Sequence, residues 1–113
     1  MVLGDLGADV IKIEPPDGDA TRGWGPPWVG STEDGTRTAA YYLAVNRNKR
    51  SLRLDLSSDE GREVLAALLR RGHVVVENFR VGGFAKLGFS DETLRALNPD
   101  LVHLAISGFG TRG

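Results

Sequence analysis

The spacing of apolar and polar residues changes repeatedly along the chain and predicts strands and helices in alternation. Short runs rich in β-branched residues predict strands over residues 8–14, 51–56, 73–77 and 101–107. Apolar residues at helical spacing predict helices over residues 38–45, 58–71 and 90–97. Strands that alternate with helices are typical of the α/β class, so we predict a parallel sheet with helices on its faces.

Local signals at the ends of these segments refine the prediction. Ser57 and Glu60 form an S-x-x-E capping box in front of the helix at 58–71, and Gly72 is expected to end that helix. Ser90 is the predicted N-cap of the helix that follows it. Three consecutive valines from Val74 predict a strand that is buried on both faces. Both ends of the chain look truncated.

A long loop over residues 17–37 separates the first predicted strand from the first predicted helix. It is rich in glycine, proline and aspartate, and it contains two tryptophans. Long ordered loops are usually functional, so we expect this loop to dock onto another surface or ligand. Arg22, two residues before Trp24, is either a ligand clamp or an anchor of the loop.

The composition restricts the class of protein. The 113 residues are 41% hydrophobic and 26% charged, which is ordinary for one globular domain. A net charge of -1 provides no general attraction to nucleic acid or to a membrane surface. The lack of cysteine excludes disulfides, and two histidines make a metal site improbable. No membrane-length apolar run or secretory signal is present, so we expect a cytoplasmic protein.

Candidate chemistry gathers at the ends of the predicted strands. In open parallel sheets ligands bind beyond the carboxyl ends of the strands. Three of the four predicted ends carry a carboxylate: Glu14, Asp55 and Glu77. Each carboxylate could accept ribose hydroxyls or could cap the amides of its own loop, and capping is the commoner role.

The densest polar cluster follows the valine strand. Phe79 could stack on a flat ring, and Arg80 could face a phosphate. Gly82 and Gly83 would let backbone amides approach an anion, and Lys86 could add a second positive charge. The alternative is an ordinary polar loop with Phe79 in the core. Spacing alone leaves both interpretations open.

Other candidates have a simpler structural explanation. A basic cluster beside the second strand is more commonly a solvated face than a phosphate site; it consists of Arg47, Lys49, Arg50 and Arg53. His73 and His103 have no plausible catalytic or metal partner nearby in the sequence, so we predict structural roles. The final GFGTRG matches G-x-G-x-x-G but follows the fourth strand, and we interpret it as a chance match.

Four stretches together resemble the class III CoA-transferases. They are LGADVIKIE, NRNKRS-x-x-x-DL, VENFR-x-G and ISGFG, in that order over essentially the whole chain. The family includes formyl-CoA transferase, crotonobetainyl/carnitine CoA-transferase and α-methylacyl-CoA racemase. The resemblance implies that residues 1–113 are part of a larger Rossmann-like domain that binds coenzyme A, in a protein whose subunits interlock as a homodimer.

The resemblance also implies a reaction and a set of contacts. The expected reaction moves CoA between an acyl-CoA and a carboxylic acid, through a catalytic aspartate that would lie beyond this chain. The chain alone would then be inactive and would need no metal. The implied CoA contacts are Leu54, Asp55, Leu56, Ser57, Asn78, Phe79, Arg80 and Lys86.

Four positions depart from the family pattern. Ser57 stands where a lysine is common, and Val81 stands in place of a proline. Lys86 replaces an arginine, and Pro15 replaces an arginine that some members use. The alternatives to a transferase are a racemase, a non-catalytic nucleotide-binding module and, on the terminal glycines alone, a dinucleotide-dependent oxidoreductase.

Overall fold

The computed structural model describes residues 1–110 of the chain. It has a mixed α/β fold with parallel strands and flanking helices, as predicted. The chain divides into two compact units, Met1–Leu54 and the remainder from Asp55 onward, and each is described by itself. No helix within residues 1–110 is both long enough and apolar enough to cross a bilayer.

The first unit is built on a parallel pair of strands. Its elements are α1 (Val2–Asp5), β1 (Val10–Glu14), a 3-10 turn (Ala20–Gly23), β2 (Trp28–Val29), β3 (Thr38–Ala39), α2 (Ala40–Asn46) and β4 (Lys49–Arg53). Strands β1 and β4 pair in parallel with Glu14 opposite Arg53. Strands β2 and β3 form a short antiparallel ladder. Ala39 and Tyr42 are buried, so the short helix packs onto the turn and strand around them.

The second unit contains the other parallel pair. Its elements are α3 (Asp59–Arg71), β5 (Val74–Glu77), α4 (Gly83–Lys86), α5 (Asp91–Leu97) and β6 (Val102–Ala105). Strands β5 and β6 pair from Val74 opposite Val102 to Glu77 opposite Ala105. The core consists of side chains from the three helices and the loop after α4: Leu65, Leu69, Phe84, Phe89 and Leu94.

The segment ends differ from the prediction where tertiary pairing competes with local pattern. The predicted strand at 51–56 is β4 at Lys49–Arg53, because its residues pair in register with all of β1. The helix predicted from residue 38 begins at Ala40, because Thr38–Ala39 extends to pair with Trp28–Val29. The antiparallel ladder of β2 and β3 is an additional element that the sequence pattern did not predict.

The predicted capping box is wrong by one residue. Ser58, not Ser57, is the N-cap of α3, and its hydroxyl oxygen accepts a hydrogen bond from the Gly61 amide at 3.0 Å. The Ser57 hydroxyl instead donates to Asp55, which removes it from the helix. Ser90 does cap α5 as predicted, with its hydroxyl 3.2 Å from the Thr93 amide nitrogen.

The predicted burial of the valine strand on both faces is also wrong within the described chain. Val74 and Val76 are 49% and 52% exposed, whereas Glu77 on the opposite face is partly buried. His103 of β6 lies on that partly buried face, where Phe84 of α4 and Asp91 of α5 contact it. A run of apolar residues therefore did not distinguish one covered face from two.

Candidate functional site

An open groove lies at the carboxyl ends of β5 and β6, where ligands of parallel sheets bind. Its volume is about 330 Å³, and residues 78–81 and 106–110 line it. Residues 78–81 follow β5 directly and residues 106–110 follow β6 directly. The polar cluster that the sequence predicted as a site therefore faces the segment that follows the neighbouring strand.

The first wall of the groove is shaped by the end of β5. The Ile106 amide donates to the Glu77 carbonyl at 2.8 Å, which is the last bond of the ladder. The Glu77 side chain then accepts a hydrogen bond from the Phe79 amide at 2.6 Å. This carboxylate has the loop-capping role that we considered commoner, and it turns residues 78–80 away from the sheet.

Phe79 satisfies part of both sequence interpretations. Its ring stacks on Phe84 with centroids 5.7 Å apart and planes 9° apart, and Phe84 in turn stacks on Phe89. The side chain nevertheless remains 42% exposed and lines the groove. One part of the ring is thus fixed by the aromatic core while another remains accessible for contact with a ligand.

The glycines after Arg80 form a turn rather than an open cradle of amides. Gly82 has φ +77° and precedes α4, a conformation that favours glycine. The Gly83 amide donates to the Arg80 carbonyl at 2.6 Å. The turn already uses the hydrogen of the Gly83 amide, so an approach of backbone amides to an anion, as predicted for Gly82 and Gly83, would have to use other amides of this segment. The Gly82–Gly83 pair instead reverses the chain behind Arg80.

The positive charges of the predicted site are exposed. Among residues 1–110, no carboxylate forms an ion pair with Arg80 or Lys86. Arg80 lines the groove, whereas Lys86, at the end of α4, does not. The structure therefore brings Asn78, Phe79 and Arg80 together at one groove and leaves Lys86 outside its lining.

The other predicted contacts form a separate, tightly bonded segment. The Asp55 carboxylate accepts hydrogen bonds from both the amide and the hydroxyl of Ser57, at 2.9 and 2.5 Å. The Ser57 hydroxyl is the main cause that lowers the pKa of Asp55. Leu54, the last residue of the first unit, donates its amide to the Glu14 carbonyl at 2.9 Å. Asp55, Leu56 and Ser57 are not part of the groove lining.

Arg62 is a residue of this region that the sequence did not indicate. Its guanidinium donates to the Ser57 carbonyl at 2.7 Å and to the Leu56 carbonyl at 3.1 Å, and it also pairs with Asp59. The Asp59–Arg62 spacing on the helix was visible in the sequence. The two carbonyl contacts were not, because they depend on how the preceding loop folds over the first turn of α3.

The carboxylate at the end of β1 is structural. Glu14 is 1% exposed, and it accepts hydrogen bonds from the Asp19 amide, two of the three Arg22 guanidinium nitrogens, the Tyr42 hydroxyl and the Ser51 hydroxyl. Burial alone would raise the pKa of Glu14, but the hydrogen bonds from Arg22, Tyr42 and Ser51 outweigh it and lower the pKa to about 2. Arg22 is therefore the anchor of the long loop.

The remaining charged and aromatic candidates in the first unit are largely engaged within it. Arg47 pairs with Asp5 at 2.7 Å and Arg50 pairs with Asp9 at 2.6 Å, which reduces the positive charge that the basic cluster presents. Trp24 stacks on Tyr41 with centroids 5.8 Å apart. These contacts support the interpretation of the basic cluster as a solvated, paired face.

His103 has partners that its sequence neighbourhood did not reveal. Its two ring nitrogens lie 3.5 Å from Glu77 and 3.4 Å from Asp91, residues that are far from it along the chain.

The glycine match that begins at Gly108 lines the groove as far as Gly110, and its last three residues lie outside the described part of the chain. The interpretation of that match as a chance one stays a prediction.

The fold and the groove define an α/β protein whose candidate ligand site lies beyond a pair of parallel strands. The model of a family described as CoA-transferase family III matches residues 1–113. The chain belongs to CoA-transferase family III.

Relatives and a solved structure agree with this membership. A succinate–glutarate CoA-transferase of Agrobacterium fabrum is 50% identical to the chain, in an alignment that covers all of the chain and 28% of that protein. A succinyl-CoA:mesaconate CoA-transferase of Haloarcula hispanica is also 50% identical to the chain, in an alignment that covers 97% of the chain and 27% of that protein. A crystal structure of a CAIB/BAIF family protein from Brucella suis matches 98% of the chain and 29% of that protein, with TM-score 0.90 and 50% identity. The chain spans about a quarter of the length of these relatives.

Proposed function

We propose that this chain is the coenzyme A-binding part of a CoA-transferase, which moves CoA between an acyl-CoA and a carboxylic acid. The observation that carries the proposal is the groove after β5 and β6, where an exposed arginine and a half-exposed phenylalanine face the segment that follows the next strand. The 50% identity to two proteins named as CoA-transferases supports the reaction class.

The chemistry of the groove suits a nucleotide that carries phosphates. The guanidinium of Arg80 offers planar, paired donors to phosphate oxygens, and the exposed part of Phe79 offers an apolar surface. Lys86 would add positive charge from the end of α4. We place the phosphates of CoA toward Arg80 and Lys86.

We assign the adenine end of CoA to the segment that precedes α3. The backbone there is held by the Asp55–Ser57 bonds and by Arg62, so its conformation is defined before any ligand arrives. The contacts proposed for this end are Leu54, Asp55, Leu56, Ser57, Asn78 and Phe79. Ser57 offers a hydroxyl in place of a positive charge, so we expect fewer phosphate contacts from this segment.

The second substrate would be a dicarboxylic acid. The relatives named above are described by succinate, glutarate and mesaconate, which are all dicarboxylic acids. The reaction breaks the thioester of one acyl-CoA and forms a thioester with the other acid, which releases the first acid as its carboxylate. We assign the nucleophilic aspartate to a part of the protein beyond residue 113, and no residue of this chain is proposed as catalytic.

The assembly and setting of the whole protein are also proposals. The family resemblance supports an interlocked homodimer, a larger Rossmann-like domain that includes residues 1–113, and a cytoplasmic location.

Assays of the whole protein with succinyl-CoA plus glutarate or mesaconate test the reaction. Formation of the second CoA thioester supports a transferase, whereas epimerisation of a 2-methylacyl-CoA without CoA exchange would identify a racemase instead.

Replacing Arg80 by alanine is expected to weaken CoA binding by about tenfold or more, because a charge-assisted bond to phosphate is lost. The CoA affinity of Arg80→Lys should lie between those of the wild type and Arg80→Ala, since lysine keeps the charge but loses the paired donors. Isothermal titration calorimetry of the whole protein with CoA measures the effect. Arg95→Ala, at an exposed arginine in the last turn of α5, is the matched control and should bind as the wild type does. Unchanged affinity in Arg80→Ala would remove the arginine from the site.

A further inference from the structure

His103 has a buried nitrogen without a hydrogen-bond partner. Its Nε2 atom is the buried side-chain nitrogen that remains unpaired among residues 1–110. Glu77 Oε1 lies 3.5 Å from it, which is longer than a normal hydrogen bond. Its Nδ1 atom lies 3.4 Å from Asp91 Oδ1. Leaving a buried nitrogen unpaired is costly, so the facing Glu77 carboxylate is the partner that would complete a hydrogen bond with it.

Glu77 connects this histidine to the groove. One of its carboxylate oxygens accepts the hydrogen bond from the Phe79 amide at 2.6 Å, and the other faces His103. The strand register places His103 opposite Val75 and places Glu77 two pairs further on, with Val75 and Glu77 on the same face of β5. The Glu77 side chain is only 11% exposed, so water competes little for it.

A second contact links the same two residues. The Phe84 ring lies 5.7 Å from the His103 ring and 5.7 Å from the Phe79 ring, so it touches both. Phe84 is buried and its helix starts immediately after the turn behind Arg80. His103 is therefore linked to Phe79, which lines the groove, through the Glu77 carboxylate and through the Phe84 ring.

The surroundings of His103 define what it can do. The facing charged groups are Glu77 from β5 and Asp91 from α5, and α4 contributes the uncharged Phe84. Neither ionised partner has a proton to give, and a neutral imidazole carries one N–H, so the ring can donate to one of the two carboxylates at a time. A donor toward Glu77 restrains that carboxylate and leaves its other oxygen on the Phe79 amide.

We propose that His103 is a positioning residue of the ligand site. It holds the Glu77 carboxylate against the Phe79 amide and so keeps residues 78–80 in the conformation that lines the groove. The identity of the ligand as CoA rests on the proposed function; the positioning of residues 78–80 does not. His103 itself does not line the groove and takes no part in bond breaking.

Three substitutions separate a positioning role from simple packing. His103→Leu removes both ring nitrogens and with them the N–H donor. His103→Gln keeps an amide donor at the reach of Nε2 toward Glu77, whereas His103→Asn places one only at the reach of Nδ1 toward Asp91. The variants are compared in the whole protein by hydrogen exchange of a peptide that contains Phe79 and by calorimetric titration with CoA.

We expect His103→Leu and His103→Asn to exchange the Phe79 amide faster and to bind CoA about tenfold more weakly, as for loss of one bond to a charged group. His103→Gln should retain most of both properties. If the leucine variant does not fold, the glutamine–asparagine pair provides the same comparison with two polar side chains.

The inference is overturned if the glutamine variant loses as much as the asparagine variant, or if neither changes Phe79 exchange. One further result would reject the proposed function and leave the positioning role intact. If the wild type does not bind CoA but Phe79 exchange still depends on a donor at position 103, the positioning role stands and the ligand is not CoA.

Discussion

Replacing Gly61 by alanine is expected to lower the free energy of unfolding by about 3 kcal/mol, as for overpacking combined with loss of a helix cap. The direction is the opposite of the usual one, since alanine in a helix is normally favoured over glycine. Gly61 is buried in the first turn of α3, and a Cβ atom there would lie 1.9 Å from the Asp55 carbonyl oxygen. That atom belongs to the backbone, so no side-chain rotation can remove the overlap.

The segment in front of α3 has little freedom to move away. The Ser58 hydroxyl donates to the Asp55 carbonyl at 2.8 Å and accepts from the Gly61 amide at 3.0 Å. Relief of the clash requires that these bonds break, and the proposed adenine segment then shifts as well. Gly61→Ala should therefore weaken CoA binding in addition to lowering stability.

Thermal and urea unfolding measure the stability effect. Gly23→Ala is the matched control, because a Cβ atom at Gly23 would meet no atom within 4 Å. We expect the control to differ from the wild type by no more than about 0.5 kcal/mol, as for a surface substitution. A Gly61→Ala protein as stable as the control would show that α3 does not pack this closely on the Asp55 carbonyl.

Replacing Glu14 by glutamine is expected to cost about 3 kcal/mol, in the range for disruption of a buried, hydrogen-bonded ion pair. The carboxylate accepts from the Arg22 guanidinium at 3.0 Å through two nitrogens, and also from Tyr42 and Ser51. A neutral amide removes the charge that balances Arg22, and its NH2 group faces other donors. The loop that Arg22 anchors should then become more susceptible to proteolysis.

Urea denaturation at neutral pH tests this cost. Glu33→Gln, at an exposed acid of the same unit, is the control and should leave the midpoint unchanged. Equal midpoints for the Glu14 and Glu33 variants would contradict the structural role of the Glu14 cluster.

The same cluster predicts a dependence of stability on pH. The folded protein lowers the pKa of Glu14 from 4.5 to about 2, because the bonds from Arg22, Tyr42 and Ser51 outweigh the effect of burial. The depressed pKa contributes stability that is fully present above pH 4.5 and is lost as pH falls through about 2. Each pKa unit corresponds to about 1.4 kcal/mol, so the loss is about 3 kcal/mol. The stability difference between the wild type and Glu14→Gln should shrink over this interval. A constant difference from pH 5 to pH 2 would be the contrary result.

Local signals predicted those features whose causes are local. Ser90 was identified as the cap of α5 because its hydroxyl bonds an amide only three residues away. The cap of α3 was misplaced by one residue because Asp55 competes for the Ser57 hydroxyl, and no pattern weighs that competition. Strands β1, β4, β5 and β6 were all predicted, but their ends depend on pairing with a partner strand.

The candidate site divides in the same way. Phe79 and Arg80 could be singled out because a polar cluster directly follows the most apolar strand. The roles of Arg62 and His103 could not, since each acts on atoms that only folding brings near it. The sequence left open whether Arg22 holds a ligand or the loop. The structure shows that Arg22 donates hydrogen bonds to the buried Glu14 carboxylate and so anchors the loop.

The sequence by itself determined the α/β class, the order of the four parallel strands and of helices α2, α3 and α5, and the position of a polar cluster at a strand end. These follow from side-chain periodicity and from short-range hydrogen bonds, which neighbouring residues specify. The tertiary structure decided which carboxylates cap loops, which glycine has no room for a side chain, and which face of β5 is covered. Those properties depend on contacts between residues far apart in the chain, and such contacts have no period that a sequence pattern can display.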